Sequence, residues 1–347
     1  MKILVSALEK SSNLHLKELT KYLKGCELVG IFDKELGTPL ADLQSLAVMG
    51  FVEAVKKLPL FFELKREMVS LAKNCDTVLL MDSSGFNLPL AKSIKKLYPK
   101  KRIVYYILPQ AWAWRRGRIK DLTKYCDRLC SILPFEKKFY PPNAPIEYVG
   151  NPLMEEIERF KNKPAKSGKI AFLPGSRPGE IKRLIKIFKE TREKIDKEAL
   201  LVVPPHFSEE DIKNIYGEID SFTLRRDATQ ALYESEFAFV CSGTATLESS
   251  LIGTPLALAY VASPVDYFVA KSLIDLRYVG LANIIYEDAL NQTIHPEFIQ
   301  NEVSSKNLIE AFNESDPDEF IQKSKKLRGL LKGGCSPRVA QIVKGEE

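Results

Sequence analysis

The stretch from Phe237 to Tyr260 reads FAFVCSGTATLESSLIGTPLALAY, in which two apolar runs flank a turn of small residues and a helical segment. The first run, Phe237–Val240, predicts a buried strand. Ala245–Ile252 predicts a helix that stops at Gly253, because glycine is the common residue just past a helix end. The second run, Pro255–Tyr260, predicts the next parallel strand, so this stretch predicts a strand-turn-helix-strand unit.

The turn between that strand and that helix, Ser242-Gly243-Thr244, predicts a phosphate site. Free backbone N–H groups and the positive end of the helix dipole meet there. Glu248 follows one turn inside the helix, where a sugar attached to the phosphate would lie. A carboxylate early in a helix is also favourable by itself, but with Thr244 as N-cap Glu248 stands one place too late for a capping box. A ribose hydroxyl is therefore a reasonable partner for Glu248.

Apolar runs alternate with amphipathic stretches along the whole chain, a pattern typical of parallel sheets covered by helices on both faces. The polar segment Lys161–Gly168, KNKPAKSG, predicts a linker. We therefore expect two Rossmann-like doubly wound α/β domains, residues 1–163 and 164–322, followed by a basic helical tail over 323–347. The other predicted strands are Lys2–Ala7, Glu27–Phe32, Thr77–Met81, Arg102–Ile107, Arg128–Ile132, Glu147–Tyr148, Lys169–Leu173 and Leu200–Val203.

Composition fits this two-domain interpretation. The chain has 347 residues, 45% hydrophobic and 28% charged, with a net charge of +6. Six scattered cysteines without a CxxC pair indicate reduced thiols in the cytosol, and three isolated histidines argue against a metal site. The apolar amino terminus is too short for a signal peptide, and no run reaches the roughly 18–20 apolar residues that span a bilayer. We expect a cytoplasmic protein that can contact the membrane peripherally.

Two carboxylates follow predicted strands of the amino-terminal half, at the ends where doubly wound folds bind ligands. Glu9 follows the first strand and precedes Ser11, Ser12 and Asn13; capping of the next helix by Ser11 or Ser12 is the alternative role. Asp82 follows Thr77–Met81 ahead of a glycine-bearing turn, a natural position for a general base, with helix capping again the alternative. No G-x-G-x-x-G follows the first strand, which disfavours a nicotinamide or flavin cofactor.

Two further segments of this half predict contacts with an amphipathic, phosphorylated molecule. Ser45–Met68 is dense in large apolar residues interrupted by Lys56, Lys57 and Pro59, which fits a core helix or an exposed surface for acyl chains. Lys92–Lys120 holds ten Lys and Arg residues and no Asp or Glu. It includes Trp112 and Trp114 beside Arg115, Arg116 and Arg118. This block suits nucleic acid or a phosphorylated lipid-like acceptor, and the apolar segment favours the acceptor.

A second anion turn follows the strand Lys169–Leu173. It reads Pro174-Gly175-Ser176-Arg177-Pro178, and Pro178 suits the first turn of a helix. Arg177 adds a fixed bidentate charge. Two such turns in one half of the chain fit a diphosphate, which needs neutralising from more than one direction.

The sequence resembles the lipid-A-disaccharide synthase family over essentially its whole length. The resemblance rests on SLAVMGFVE, Asp82 with Phe86-Asn87, PQAWAWRRGR, LPFEKKFY, YVGNPL, LPGSR, CSGTATLE and YVGLANII. It implies a GT-B type glycosyltransferase whose two Rossmann-like domains face each other across a cleft. The amino-terminal domain would bind the acceptor and the carboxyl-terminal domain the sugar nucleotide, and the final helix would cross back to the first domain.

The resemblance also implies the reaction. A 2,3-diacylglucosamine would pass from UDP to the 6-hydroxyl of 2,3-diacylglucosamine 1-phosphate with inversion, giving a β-1,6 disaccharide 1-phosphate without a metal or cofactor. The membrane surface would be a partner, a homodimer is possible, and nucleic acid would not be a partner. The resemblance implies that Asp82 is the catalytic base, with Glu9 as its partner or rival. The residues implied to bind the UDP-sugar are Ser176, Arg177, Ser242, Gly243, Thr244, Glu248 and Asn283. The residues implied to bind the acceptor are Ser11, Asn87, Trp112, Trp114, Arg115 and Arg116.

Two motifs depart from the family pattern. Where the family often has Asp-x-Pro-Asp-Phe-Asn, this chain has Ser84 for the proline and Gly85 for the second aspartate, which favours Asp82 as base. The first loop keeps Glu9 and Ser11 but lacks the family's glycines and aspartate, so the acceptor side could suit another sugar or acyl pattern. The alternative function is a two-domain transferase or epimerase acting on UDP-N-acetylglucosamine.

Overall fold

The computed structural model describes residues 1–42, 58–263 and 277–346. These residues form two compact units: unit 1 comprises Met1–Glu156 and Lys332–Glu347, and unit 2 comprises Ile157–Leu331. The motif SLAVMGFVE, Ser45–Glu53, and the neighbouring Lys56 and Lys57 lie outside the described residues. No helix among the described residues is both long and apolar enough to cross a membrane.

Unit 1 is a seven-stranded sheet, entirely parallel, in the order β3-β2-β1-β4-β5-β6-β7. Its strands are β1 Lys2–Ala7, β2 Glu27–Phe32, β3 Ala41–Asp42, β4 Thr77–Met81, β5 Arg102–Tyr106, β6 Arg128–Ser131 and β7 Ile146–Tyr148. Its helices are α1 Lys10–Thr20, α2 Leu58–Ala72, α3 Ser84–Leu97, α4 Arg118–Tyr125, α5 Leu153–Glu156 and the carboxyl-terminal α13 Cys335–Lys344, with short 3₁₀ turns at Lys34–Leu36 and Glu136–Phe139.

Unit 2 is a six-stranded parallel sheet in the order β10-β9-β8-β11-β12-β13. Its strands are β8 Lys169–Leu173, β9 Glu198–Val202, β10 Thr223–Arg225, β11 Phe237–Cys241, β12 Leu256–Tyr260 and β13 Glu297–Ile299. Its helices are α6 Pro178–Arg192, α7 Glu209–Tyr216, α8 Ala228–Glu234, α9 Thr244–Ile252, α10 Leu281–Leu290, α11 Ser305–Asn313 and α12 Pro317–Leu330, with a 3₁₀ turn at Gln300–Glu302.

All ten strands predicted from apolar runs are present, with ends shifted by a residue or two in several. Three further strands have no counterpart among the predicted ones: Ala41–Asp42, Thr223–Arg225 and Glu297–Ile299. Each of these lies at the edge of its sheet and is half-buried or exposed rather than fully covered. An edge strand of two or three residues carries no apolar run, so hydrophobic pattern alone does not reveal it.

The sheet of unit 1 separates two apolar cores, because side chains of successive strand residues point to opposite faces. Leu4 of β1 packs on one face together with residues of α2 and α3. Ile3 and Val5 pack on the other face with residues of α1 and α13. Burial on both faces is what makes these parallel strands continuous apolar runs.

Helix α2 shows both properties that its sequence allowed. Leu64, Met68 and Val69 pack in the core of unit 1. Phe62 is 61% exposed, and the Lys65 ammonium lies 5.1 Å from the centre of its ring. The described part of the apolar segment is therefore a core helix that also presents an aromatic ring and a cation to solvent.

The carboxyl-terminal segment belongs to unit 1 because α13 buries Val339, Ile342 and Val343 against its sheet. Burying each such side chain contributes roughly 1.5–3 kcal/mol. The segment enters beside Gly150, and the backbone N–H of Asn151 donates to the carbonyl of Lys332 at 2.9 Å. Helix α12 stays in unit 2, so the basic tail expected over 323–347 as one or two helices is divided between the two units.

The division between the units falls after Glu156, ahead of the polar segment expected to be the linker. Lys161, in that segment, is only 6% exposed and lies within unit 2.

The first residues of two helices can be compared with the sequence predictions. Pro178 is the first residue of α6, as predicted. Helix α1 begins at Lys10 with Glu9 as N-cap and no side-chain cap bond, so the suggestion that Ser11 or Ser12 caps it is wrong.

Glycine at position 150 is required by the close approach of the carboxyl-terminal segment. Gly150 has φ +102°, and a Cβ there would lie 2.7 Å from the carbonyl oxygen of Lys332. We expect Gly150→Ala to lower the free energy of unfolding of unit 1 by at least about 2 kcal/mol more than Gly25→Ala does. Both substitutions cost about 1–2 kcal/mol because alanine disfavours a left-handed backbone, but only Gly150→Ala adds a steric clash. Gly25 is the control because it has φ +76° with nothing within 4 Å of an added Cβ. Denaturant unfolding measures the difference, and equal losses would contradict the described docking of Lys332.

Candidate active site

Glu9 and Asp82 follow two neighbouring strands at the point where the chain reverses its direction of winding across the sheet. β1 and β4 pair in parallel up to Ala7 opposite Met81. The chain builds the sheet outward from this pair on both sides, which makes it the topological switch point where such folds bind ligands. The Ser83 hydroxyl donates to Glu9 Oε1 at 3.2 Å. The structure therefore brings the two predicted carboxylates to one place.

The electrostatic environment of Asp82 suits a general base. Burial of the carboxyl group raises its pKa, and the negative charge of Glu9 raises it further. Both effects disfavour the ionised form, so the carboxylate binds a proton more strongly than an exposed aspartate does. Glu9 itself is exposed. Helix α3 begins at Ser84 with Ser83 as N-cap, so Asp82 does not cap it.

The backbone at Asp82 adopts a conformation that side chains other than glycine rarely take. Asp82 has φ +50° and Ser83 has φ +36°. Left-handed conformations cost about 1–2 kcal/mol per residue and persist only when surrounding bonds impose them. Here the Asp82 carbonyl accepts hydrogen bonds from the Tyr105 hydroxyl and from Asn87 Nδ2. The Asp82 N–H donates to the Tyr106 carbonyl at 3.3 Å.

Asn87 lies beneath this turn rather than on its surface. It is fully buried; its Nδ2 donates to the carbonyls of Met81 and Asp82 at 3.0 and 2.9 Å, and its Oδ1 accepts from Ser6 Oγ at 2.6 Å. These bonds use both ends of the amide. Direct contact with an acceptor, the role implied by the family resemblance, is not available in this arrangement; Asn87 instead holds the backbone that carries Asp82.

The Trp-Arg block divides into a buried part and an accessible part. Trp112 is 3% exposed and packs edge-on against Phe135 with ring centres 4.8 Å apart. Trp114 is half-buried, and the Arg115 guanidinium lies 4.3 Å from the centre of its ring, a cation–π contact. Arg115, with φ +55°, and Arg116 are both exposed. A ligand can thus reach Trp114, Arg115 and Arg116, whereas Trp112 supports them from the core.

Ser11 is exposed in the first turn of α1, two residues after Glu9. The neighbouring Asn13 is buried, and its side chain donates to the carbonyls of Ala7 and Glu9. Its Oδ1 accepts from the N–H of Asp33 at 2.7 Å. The loop after β1 is therefore held by Asn13 and offers Glu9 and Ser11 to solvent.

The two anion turns of unit 2 lie side by side at its own switch point. β8 and β11 pair in parallel, with Leu173 opposite Val240. Gly175 follows β8 with φ +111°, and a Cβ there would lie 3.3 Å from Cys241 Sγ at the end of β11. The sequence predicted two separate anion turns, and the parallel pairing places them at one edge of the sheet.

The side chains of these turns are accessible to a ligand. Ser176, Arg177, Gly243 and Thr244 are exposed, and Ser242 is half-buried. The Arg177 side chain is 79% exposed and pairs with Glu180 at 3.0 Å. An exposed ion pair of this kind is worth about 0–1 kcal/mol, so it can be exchanged for a phosphate at little cost.

Helix α9 begins at Thr244 with Gly243 as N-cap, one residue earlier than expected. Glu248 is therefore even less suited to a capping box than the sequence indicated. It is half-buried, and the Thr229 hydroxyl of α8 donates to its Oε1. This hydrogen bond orients the carboxylate.

The Asn283 side chain, like that of Asn87, forms its hydrogen bonds inside the fold. It is fully buried in α10; its Nδ2 donates to the His295 carbonyl at 2.9 Å and to Glu297 Oε1 at 2.7 Å, and its Oδ1 accepts from the N–H groups of Ile294 and His295. The Glu297 carboxylate also accepts from the N–H groups of Val279 and Gly280. Asn283 thus shapes the segment before α10 and is not placed to touch a ribose directly.

Sequence reasoning missed the residues that hold these turns. Ser6, Tyr105, Thr229 and Glu297 stand far along the chain from the groups they bond, and each looks like an ordinary strand or helix residue in its own segment. A buried tyrosine or serine within an apolar strand is the one signal that could have suggested Tyr105 and Ser6. Their partners could not be read from the sequence.

Solved structures of two other proteins share this architecture. MurG of Acinetobacter baumannii matches with a TM-score of 0.59 and 13% identity, covering 99% of each chain. The UDP-GlcNAc 2-epimerase of Methanocaldococcus jannaschii, solved with UDP-GlcNAc and UDP, matches with a TM-score of 0.59 and 14% identity over 99% of this chain and 100% of that one. These likenesses establish the fold class, which is that of the GT-B glycosyltransferases and related epimerases.

Closer relatives specify the family within this class. A family model described as lipid-A-disaccharide synthetase matches residues 3–330. The lipid-A-disaccharide synthase of Helicobacter pylori strain J99 is 45% identical over 353 residues, covering 98% of this chain and 97% of that protein. That of Campylobacter jejuni strain RM1221 is 41% identical over 365 residues, covering 98% of each. The chain therefore belongs to the lipid-A-disaccharide synthetase family, glycosyltransferases of lipid A biosynthesis.

The bond from Tyr105 to the Asp82 carbonyl generates a prediction. We expect Tyr105→Phe to lower the rate of glycosyl transfer about five- to tenfold, because one of the two hydrogen bonds to the Asp82 carbonyl is lost, worth roughly 1 kcal/mol. Steady-state kinetics with both acylated sugars measures this. Tyr106→Phe is the matched control: the neighbouring tyrosine is equally buried, but its hydroxyl contacts Cys335. Equal rate losses in the two variants would contradict a specific effect on Asp82.

Proposed function

We propose that this enzyme transfers 2,3-diacylglucosamine from UDP to the 6-hydroxyl of 2,3-diacylglucosamine 1-phosphate, with inversion, and releases UDP and the β-1,6 disaccharide 1-phosphate. Membership of the lipid-A-disaccharide synthetase family supports the reaction. The observation that supports its assignment to particular residues is the position of Asp82, a half-buried carboxylate beside Glu9 at the switch point of unit 1.

Asp82 acts as the general base. Its carboxylate takes the proton from the acceptor 6-hydroxyl while that oxygen forms a bond to C1 of the donor sugar and the bond from C1 to the UDP oxygen breaks. The raised pKa of Asp82 improves proton transfer, since a base is most effective when its pKa approaches the working pH. Glu9 contributes by its charge, which raises that pKa, and by orienting Ser83.

The two turns of unit 2 hold the leaving UDP. Arg177 and the backbone N–H groups at Ser242, Gly243 and Thr244 neutralise the charge that develops on the diphosphate, and Ser176 adds a hydroxyl. Glu248, oriented by Thr229, accepts hydrogen bonds from the ribose. Asn283 contributes only indirectly, through the segment that it holds before α10.

Trp114, Arg115 and Arg116 bind the 1-phosphate of the acceptor, and Ser11 contacts its sugar. Phosphate suits this site because two exposed arginines and a ring that fixes one of them are close together in the chain. Phe62 with Lys65 on α2 supports peripheral association with the inner face of the cytoplasmic membrane, where an aromatic ring enters the interface and a cation meets anionic head groups. An assembly into dimers is compatible with this arrangement.

The reaction is tested by mass spectrometry after the protein is mixed with both acylated sugars. We expect disaccharide 1-phosphate and UDP from the wild-type protein, and at least about 100-fold less from Asp82→Asn, because the base is lost while the shape is kept. UDP affinity of the variant should stay within about twofold. Asp121→Asn, an exposed aspartate of α4, is the control.

The pH profile gives the same test a second readout. The wild-type rate should fall as the pH drops through the pKa of Asp82, and Glu9→Gln should shift that fall to lower pH because it removes the charge that raises the pKa. Near-wild-type turnover by Asp82→Asn would exclude it as the base. Turnover of unacylated UDP-N-acetylglucosamine without an acylated acceptor would favour the transferase or epimerase alternative.

The donor site is tested separately through Arg177. We expect Arg177→Ala to weaken UDP binding about 10- to 100-fold, as hydrogen bonds to charged groups contribute about 1.5–3 kcal/mol, and to leave the KM for the acceptor within about twofold. Isothermal titration with UDP measures the first effect and kinetics the second. Lys182→Ala removes an exposed cation from α6, the helix that begins directly after Arg177, and serves as control. Equal losses for donor and acceptor would contradict the assignment of the diphosphate to unit 2.

A further inference from the structure

Lys161 is a buried cation in the segment that the sequence predicts to be a linker. Only 6% of it is exposed, although it stands in the polar stretch KNKPAKSG. Burying a charged group costs several kcal/mol unless partners compensate for the lost water. A lysine is therefore kept inside a fold only where its ammonium group is well satisfied.

Three oxygen atoms surround the Lys161 ammonium. Its Nζ donates to the carbonyl of Leu232 at 3.1 Å, to the carbonyl of Ser235, and to Thr254 Oγ1 at 2.8 Å. The Thr254 hydroxyl in turn donates to the Leu232 carbonyl at 2.8 Å, so its lone pair faces the lysine. An ammonium group has three N–H donors, and this cage supplies one acceptor for each.

The cage joins the carboxyl-terminal ends of two helices. Leu232 and Ser235 belong to the last turn and C-cap of α8, and Thr254 follows α9. The backbone N–H of Lys161 also donates to the carbonyl of Ile252, the last residue of α9, at 2.7 Å. Helix carboxyl ends present free carbonyls and partial negative charge, which a cation stabilises. Lys161 thus satisfies both helix ends at once.

The same two helices carry groups of the proposed site for the sugar nucleotide. The phosphate turn Ser242–Thr244 leads into α9, and Glu248 of α9 accepts the bond from Thr229 of α8. Nine residues of α9 span roughly 13 Å, so Lys161 lies about that far from the phosphate turn, outside contact with a ligand. A change in the packing of α8 against α9 alters the position of both the turn and the carboxylate.

We propose that Lys161 is a positioning residue for the sugar-nucleotide site: by joining the carboxyl ends of α8 and α9, it keeps the phosphate turn and the Thr229–Glu248 pair in the geometry that binds UDP. This inference rests on the proposed placement of UDP in unit 2. It adds a residue that no motif of the sequence marks, and it explains why the cation is buried where a hydrophobic residue would cost less.

The ionisation of Lys161 gives this role a specific signature. Burial lowers its pKa to about 7, and the charge of Glu236 opposes that shift. The neighbouring charges are Glu236, paired with Lys197 at 2.6 Å, and Arg328 of α12, whose Nη1 donates to the Leu251 carbonyl at 2.6 Å. Above pH 7 the neutral amine donates only two hydrogen bonds, so one of the three oxygen atoms of the cage loses its bond to the lysine as the pH rises.

The test measures UDP binding and thermal stability of the full chain. Lys161→Met removes the ammonium and keeps the length of the side chain; we expect UDP to bind at least about fivefold more weakly, with the KM for the acceptor unchanged. Lys166→Met, an exposed lysine of the same segment, is the control and should match the wild type. In the wild type, UDP affinity should fall as the pH rises from about 6 to 8.5. The UDP affinity of Lys161→Met should not show this pH-dependent fall, because the variant lacks the ammonium group.

Thr254→Val is the second variant, because it removes one acceptor of the cage and leaves the lysine in place. We expect UDP to bind it about threefold more weakly. If Lys161→Met does not yield folded protein, Thr254→Val decides. A folded variant with a lower melting temperature but unchanged UDP affinity and an unchanged pH profile would overturn the proposal, since Lys161 would then serve stability alone.

Arg177→Ala separates this inference from the function on which it rests. If Arg177→Ala weakens UDP binding and the Lys161 and Thr254 variants do not, only the positioning role is wrong. If Arg177→Ala leaves UDP binding unchanged, the donor site itself is misplaced, whatever the Lys161 variants do.

Discussion

Parallel pairing of two central strands is the constraint on which the rest of each unit depends. In unit 1 β1 pairs with β4, and in unit 2 β8 pairs with β11. Because parallel strands end at the same edge of a sheet, the loops that follow each pair must emerge together. The chain builds outward from each pair, which makes each pair a topological switch point. Glu9 meets Asp82 in this way, and the turn at Gly175 meets the turn at Ser242.

Loops placed by this constraint still need a defined shape, which buried polar side chains provide. Asn87 and Tyr105 bond to the carbonyl of Asp82 and maintain a left-handed backbone there. Asn283 and Glu297 do the equivalent for the segment before α10. Buried polar groups are costly when unpaired, so a satisfied network strongly favours one backbone arrangement. The groups that hold each turn are thus largely distinct from those that a ligand can reach.

We predicted from the sequence ten of the thirteen strands of the described residues, the two-domain α/β class and the positions of both anion turns, because these features depend on local patterns. Apolar runs and glycines at strand ends carry that information within a few residues. The family resemblance implied ligand contacts for Asn87, Asn283 and Trp112, whereas the structure buries all three side chains. A polar or aromatic residue in a functional motif looks the same in sequence whether it faces a ligand or supports the residue beside it.

The sequence by itself therefore determined the alternation of strands and helices, the residues at the strand ends and, through its motifs, the family. Only the tertiary structure decided which polar groups bond to one another: Tyr105 with Asp82, Thr229 with Glu248, and Lys161 with the ends of α8 and α9. The physical reason is the distance along the chain over which the two kinds of interaction act. Secondary structure follows from neighbours within a few residues, whereas hydrogen bonds between distant segments exist only after the sheet has brought those segments together.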